Sequence, residues 1–177
     1  MITKALSDTR STNITILTGP IKSGKTTFLM ELLENIPDCG GFLTPDIHGR
    51  RHFFRLDTKE CLPFEIDPTS DKDHTISIGH YHFDKNIFDL GNQMISNIQS
   101  HHKKIFVIDE VGKLELRGEG FDLSLKIILP LYSLNDDTLL ILIVRNYLVH
   151  EVMERYKLNC TIIDILEKEK IQLKLGI

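Results

Sequence analysis

Eight consecutive residues, Gly19-Pro20-Ile21-Lys22-Ser23-Gly24-Lys25-Thr26, constrain this chain more than any other stretch. They fit Gly-x-x-x-x-Gly-Lys-Ser/Thr, in which glycines let the backbone turn so that successive N–H groups face one concavity. The apolar, β-branched run Asn13 to Thr18 leads in and reads as a buried strand. Phe28, Leu29, Leu32, Leu33 and Ile36 follow at helical spacing. Strand, glycine loop and helix is the order that brings a helix's positive end to an anion. The expected phosphate cradle is therefore Gly19, Pro20, Ile21, Lys22, Ser23, Gly24, Lys25, Thr26 and Thr27. In such a loop Lys25 reaches the β- and γ-phosphates, and the Thr26 hydroxyl holds Mg²⁺.

A second signal lies far along the chain. Ile105-Phe106-Val107-Ile108 is an apolar run that ends in two acids, Asp109 and Glu110. A short apolar run of this kind suits a strand buried in a parallel sheet. Parallel strands end at the ligand edge, so these carboxylates are expected beside the phosphate loop. Asp109 fits an acid that holds Mg²⁺, mostly through water. Glu110, directly after it, fits an acid that orients and deprotonates an attacking water. The alternative for the pair is a solvated strand end.

Length and charge exclude several classes. With 177 residues the chain is expected to form one domain over 1–177. A net charge of −4 and the lack of a long Lys/Arg block argue against a nucleic-acid partner. Cys39, Cys61 and Cys160 are widely spaced and form no C-x-x-C pair, so neither a disulfide framework nor zinc is suggested. His80 and His82 alternate and His101-His102 adjoin lysines, but neither pair has the further ligands a zinc site requires. Met1 to Arg10 is polar and lacks an apolar core, so no secretory signal is expected. Leu139 to Val144 is strongly apolar but too short for a bilayer and reads as a core strand. A cytoplasmic protein without a membrane segment is the expectation, and no protein partner can be inferred.

Elsewhere strands and helices alternate. Pro37-Asp38-Cys39-Gly40-Gly41 reads as a stop. Gly41–Ile47 and His52–Leu56 read as a hairpin joined by His48-Gly49-Arg50-Arg51, with further short strands near Leu62–Ile66 and Thr75–Ile78. Asp84 is placed to cap a helix carrying Ile87, Phe88, Gly91, Met94, Ile95 and Ile98. Gly112 to Gly120 reads as a loop. A helix from Phe121 is ended or kinked by Pro130. Strand Thr138–Val144, a helix with Leu148 to Tyr156, and a short strand Thr161–Ile163 complete the pattern. Such alternation implies an α/β layered fold with parallel strands and an antiparallel insertion at a sheet edge, over about residues 41–80.

Taken together, Gly19 to Thr27, Gly41-Phe42-Leu43-Thr44 and Asp109-Glu110-Val111-Gly112-Lys113-Leu114-Glu115-Leu116 resemble the cancer-related nucleoside-triphosphatase family. Its Walker B segment reads Asp-Glu-Ile-Gly-Lys-Met-Glu-Leu. The similarity runs from Ile14 to about Ile163, and the Walker B string is its specific part. His48 to Phe54 matches the family's Arg- and Gly-containing hairpin, and Gly79 to Asp84 a segment before a helix. The resemblance implies a P-loop NTPase three-layer sandwich with a mainly parallel sheet of about five strands in the order 5-1-4-3-2. It also implies Mg²⁺-dependent hydrolysis of the γ-phosphate of a nucleoside triphosphate, with broad base tolerance.

That strand order would bring Arg145 and Asn146 to the γ-phosphate. Arg145 would then stabilise transition-state charge in cis, and Asn146 would help hold the water. The alternatives are an ion pair of Arg145 with Asp136, Asp137 or Glu151, and Asn146 as a helix cap. Arg50 and Arg51 are a second source of positive charge, or a solvated hairpin tip. Lys113 is either a phosphate or Glu110 contact or a surface lysine. Arg117 is the only arginine of the Gly112–Gly120 segment. A kinase, with Glu110 orienting an acceptor hydroxyl, and a nucleotide-dependent switch are the competing functions. A closing lid rich in arginines, which a kinase needs, is weakly signalled. No guanine-reading Asn-Lys-x-Asp motif is present.

Overall fold

The computed structural model describes residues 12–68, 73–98, 103–132 and 138–176. Its central sheet is built on five parallel strands. They are β1 (Ile14–Gly19), β2 (Cys39–Leu43), β8 (Ile105–Val111), β9 (Leu139–Arg145) and β10 (Thr161–Asp164), in the spatial order β10-β1-β9-β8-β2. This is the 5-1-4-3-2 order expected. Beyond β2 the sheet continues antiparallel through β4 (Arg50–Arg55), which also pairs with β3 (Asp46–Ile47) and β5 (Cys61–Pro63). A separate two-stranded ribbon joins β6 (Thr75–Ile78) to β7 (Tyr81–Asp84).

The helices make two further layers. Side chains alternate across β9, so Leu140, Leu142 and Val144 face one core and Ile141 and Ile143 the other. The first core includes Phe88 and Ile95 of α2 (Lys85–Ser96), Leu125 and Leu129 of α4 (Asp122–Tyr132), and Val152 of α5 (Val149–Tyr156). Stacked and edge-on rings dominate it, with Phe42 and Phe53 centroids 4.5 Å apart and Phe42 and Phe121 5.0 Å apart. Ring pairs of this kind add about 0.5–1.5 kcal/mol beyond their buried area. The second core is aliphatic and takes Leu29 of α1 (Lys25–Leu32) and Ile171 of α6 (Glu169–Leu175). Both faces of the parallel strands are covered, which is why their sequences read as continuous apolar runs.

Three local expectations change and one is narrowed. The stretch expected as the first hairpin strand splits. Cys39–Leu43 joins the parallel sheet beside β8, and only Asp46–Ile47 pairs with Arg50–Arg55. Gly41 makes this possible, because its φ is +88° and a Cβ there would stand 2.0 Å from the Val107 carbonyl oxygen. The hairpin turn is His48-Gly49, both at positive φ, so Arg50 and Arg51 belong to β4 and not to the turn. Gly112–Gly120 is not all loop. Helix α3 (Lys113–Arg117) forms there because the Glu115 carboxylate accepts from the Gly112 and Phe121 amides at 2.8 and 3.1 Å. Pro130 lies inside α4 without ending it, the helix running on to Tyr132. Helix α6 has no counterpart in the sequence reading. Asp84 caps α2 as expected, accepting from the Asn86 amide at 2.9 Å.

Candidate active site

The parallel strands all end at one edge, and a cleft of about 310 Å³ opens there. It is lined by Ile21 to Thr27, by Pro45, Asp46 and Arg51 of the hairpin region, and by Asp109, Glu110, Ile143 and Arg145 of the strand ends. The two distant sequence signals thus meet in one cavity.

The glycine loop supplies the first wall. Gly24 is the N-cap of α1 in the left-handed region at φ +86°, and no side chain caps the helix. The first-turn amides of α1 are therefore left to whatever the loop encloses, in contrast to α2 with its Asp84 cap. Lys25 is only 8% exposed. Its ammonium donates to the Gly19 and Pro20 carbonyls at 3.0 and 2.8 Å and to Ser23 Oγ at 3.3 Å. Burial lowers its pKa, opposed by the charges of Glu110 and Asp109.

Asp109 forms the floor. It is 1% exposed. Its Oδ2 accepts from the Thr26 hydroxyl at 2.8 Å and from the Thr44 amide at 2.9 Å. Burial and then the neighbouring Glu110 raise its pKa, while these two donors oppose the rise. A hydroxyl and a carboxylate held together are hard oxygen donors of the kind Mg²⁺ takes. Among the described residues no three His, Cys, Asp or Glu side chains converge as a metal-binding group. Mg²⁺ needs none, since one or two carboxylates with water and substrate phosphates suffice.

Glu110 stands out of the sheet by a register shift. Asp109 faces Ile143 and Val111 faces Val144, so Glu110 is the extra residue of a bulge. Bulges re-aim a side chain at a strand end. Strand β9 separates β8 from β1, with Arg145 registered against Gly19. Arg145 then meets Glu110 in a two-point pair, Nε donating to Oε1 and Nη2 to Oε2, the latter at 3.1 Å. The remaining Nη1 donates to the Tyr147 hydroxyl at 3.3 Å. Burial alone would lower the Arg145 pKa, but the bond to Glu110 and its charge outweigh that and raise it.

The other expected residues separate. Asn146 begins a short 3₁₀ turn, accepts from the Tyr147 amide and does not line the cleft. Lys113 and Arg117 are exposed on α3, away from the cleft lining. Arg50 is exposed and pairs with Asp67 at 2.6 Å. Asp136, Asp137 and His101-His102 lie outside the described residues. Glu115, a residue outside the expected site, holds the segment that follows Glu110 by its two amide bonds. Its place in the Walker B string was the available signal.

With this geometry in hand, relationships become specific. A family model described as NTPase matches residues 14–176. The chain belongs to this NTPase family. Two solved structures share its fold. One is the crystal structure of THEP1 from the hyperthermophile Aquifex aeolicus, with TM-score 0.69 and 19% identity, covering 93% of this chain and 96% of the other. The second is the solution structure of a human cancer-related nucleoside triphosphatase, with TM-score 0.60 and 22% identity, covering 92% and 93%. Among curated proteins no significant sequence match is found. The NTPase membership and the P-loop fold agree with the resemblance drawn from the motifs. No helix among the described residues is long and apolar enough to cross a membrane.

Proposed function

We propose that this NTPase is a Mg²⁺-dependent hydrolase that cleaves the γ-phosphate from ATP, GTP and other nucleoside triphosphates. The observation that carries the reading is the convergence in one cleft of the Lys25 loop, the Thr26–Asp109 contact and the Glu110–Arg145 pair. Thr26 and Asp109 are the residues that would hold Mg²⁺, which when bound neutralises charge on the β- and γ-oxygens. Lys25 and the loop amides bind the phosphates. Glu110 orients the attacking water and accepts its proton. Arg145 fixes the Glu110 carboxylate by two bonds and so sets its direction toward the attacking water. Water enters in line with the departing diphosphate, so the products are orthophosphate and a nucleoside diphosphate. Base tolerance rests on the family resemblance, since the charged groups gathered here address phosphate.

Orthophosphate release from ATP, GTP, CTP and UTP tests this, with and without Mg²⁺ and with candidate nucleoside acceptors. Release from all four that requires Mg²⁺ and ignores the acceptors is expected. Phosphoryl transfer to an acceptor without orthophosphate would make the protein a kinase.

A further inference from the structure

Two arginines line the cleft, and their surroundings differ. Arg145 is neutralised by Glu110. Arg51, half-buried on β4, has no carboxylate within ion-pairing distance of its guanidinium among the described residues. Other arginines do. Arg50 is held by Asp67, Arg55 by Asp57 and Glu60, and Arg155 by Asp122. Among the described residues the one side-chain hydrogen bond of Arg51 runs from Nη1 to the Thr44 carbonyl at 2.8 Å. Its backbone is anchored, because the Phe64 and Glu65 amides donate to its carbonyl and its own amide donates to Glu65 Oε2.

The position of that free edge matters. Thr44 is the residue whose amide bonds Asp109, so the guanidinium stands across a single residue from the acid on the cleft floor. The buried Asp109 carboxylate is felt by Arg51 without a direct ion pair, so the open edge of the guanidinium remains available to an anion in the cleft. Planar guanidinium groups bind phosphate through two parallel N–H bonds, which one bond to Thr44 leaves open.

We propose that Arg51 recognises the terminal phosphate and makes the cleft selective for a nucleoside triphosphate over the diphosphate. This rests on the reading of the cleft as a triphosphate site, and it separates two duties. Arg51 reads the substrate's last phosphate, and Arg145 holds Glu110.

Equilibrium binding to the full chain with Mg²⁺ tests the proposal, using a fluorescent non-hydrolysable triphosphate analogue and the matching diphosphate. Arg51→Ala should weaken the triphosphate about 10- to 100-fold, the scale of a charge-assisted bond, and leave the diphosphate within about 2-fold. Arg51→Lys should fall between, keeping charge without the fork. Arg145→Ala should preserve the preference for triphosphate. Equal loss for both nucleotides in Arg51→Ala would reduce Arg51 to a support for Thr44 and overturn the proposal. So would unchanged triphosphate affinity, or a preference lost in Arg145→Ala alone. Should Arg51→Ala fail to fold in a thermal melt, Arg51→Met, which keeps the apolar stem, carries the same comparison. Wild-type protein that binds neither nucleotide would remove the cleft reading itself, a separate result.

Discussion

The two walls of the cleft are encoded differently. The glycine loop is contiguous, and its main bonds join residues no more than six apart, as between Lys25 and Gly19. The opposite wall is assembled from three strands. Thr26 to Asp109 spans 83 positions, Thr44 to Asp109 spans 65 and Arg145 to Glu110 spans 35. A local motif builds a binding surface from its own backbone. An assembled wall holds charges in relation to one another, and those relations depend on sheet order. The general hold on the phosphates should accordingly follow the first wall, and chemistry and the reading of the terminal phosphate the second.

The severest test of this division is Lys25→Ala. Turnover should fall to background and triphosphate affinity should weaken, as phosphate-release and binding assays would record. Turnover within a few fold of wild type would take the loop out of the mechanism. Glu110→Gln comes next. It should keep nucleotide binding and slow hydrolysis by roughly 10²-fold or more, the range of a general base. Weakened binding at unchanged turnover would invert the comparison. Arg145→Ala should lower kcat about 10- to 100-fold with affinity nearly unchanged, the signature of an interaction made mainly in the transition state. Arg145→Lys should recover only part, because a point charge does not hold both Glu110 oxygens.

The smallest effect is expected at Asp122, outside both walls. This buried carboxylate accepts from Arg155 and Tyr156 of α5 and from Lys126 of its own helix. Burial opposes its ionisation, but these bonds outweigh it and bring the pKa down to about 2. A folded-state pKa below the usual 3.8 means that the stabilisation is present above about pH 4 and is lost as pH falls towards 2. Asp122→Asn should cost about 2 kcal/mol at neutral pH and flatten that acid limb in equilibrium unfolding, with kcat unchanged. A large loss of kcat would show that the assembled wall reaches into the helical layer.

The same contrast explains what the sequence made legible. The loop, the strands on either side of β9 and the acids at 109 and 110 follow from runs and spacing. The place of Arg145 depended on strand order, which came from the resemblance and not from any local pattern. Neither its partner Glu110 nor the inward face of Arg51 could be read. Both are set by where neighbouring strands end. Gly112–Gly120 looked like a loop because its helix is held by Glu115 reaching the Phe121 amide, a tertiary bond that composition hides. Gly41 looked like part of a stop, while its close approach to Val107 is what seats β2 in the sheet.

The strand order also bears on how the chain is made. In the sheet, the neighbours of β1 among the described residues are β9 and β10, and both follow it by more than 100 positions. On the ribosome the phosphate loop therefore emerges before, and waits for, flanking strands that appear after residue 138. Long-range pairing of this kind is slow, and apolar strands stay exposed meanwhile. Nascent chains stopped short of β9 would carry the loop and both acids without a cleft, so synthesis itself withholds the site until the residues beyond 138 have emerged.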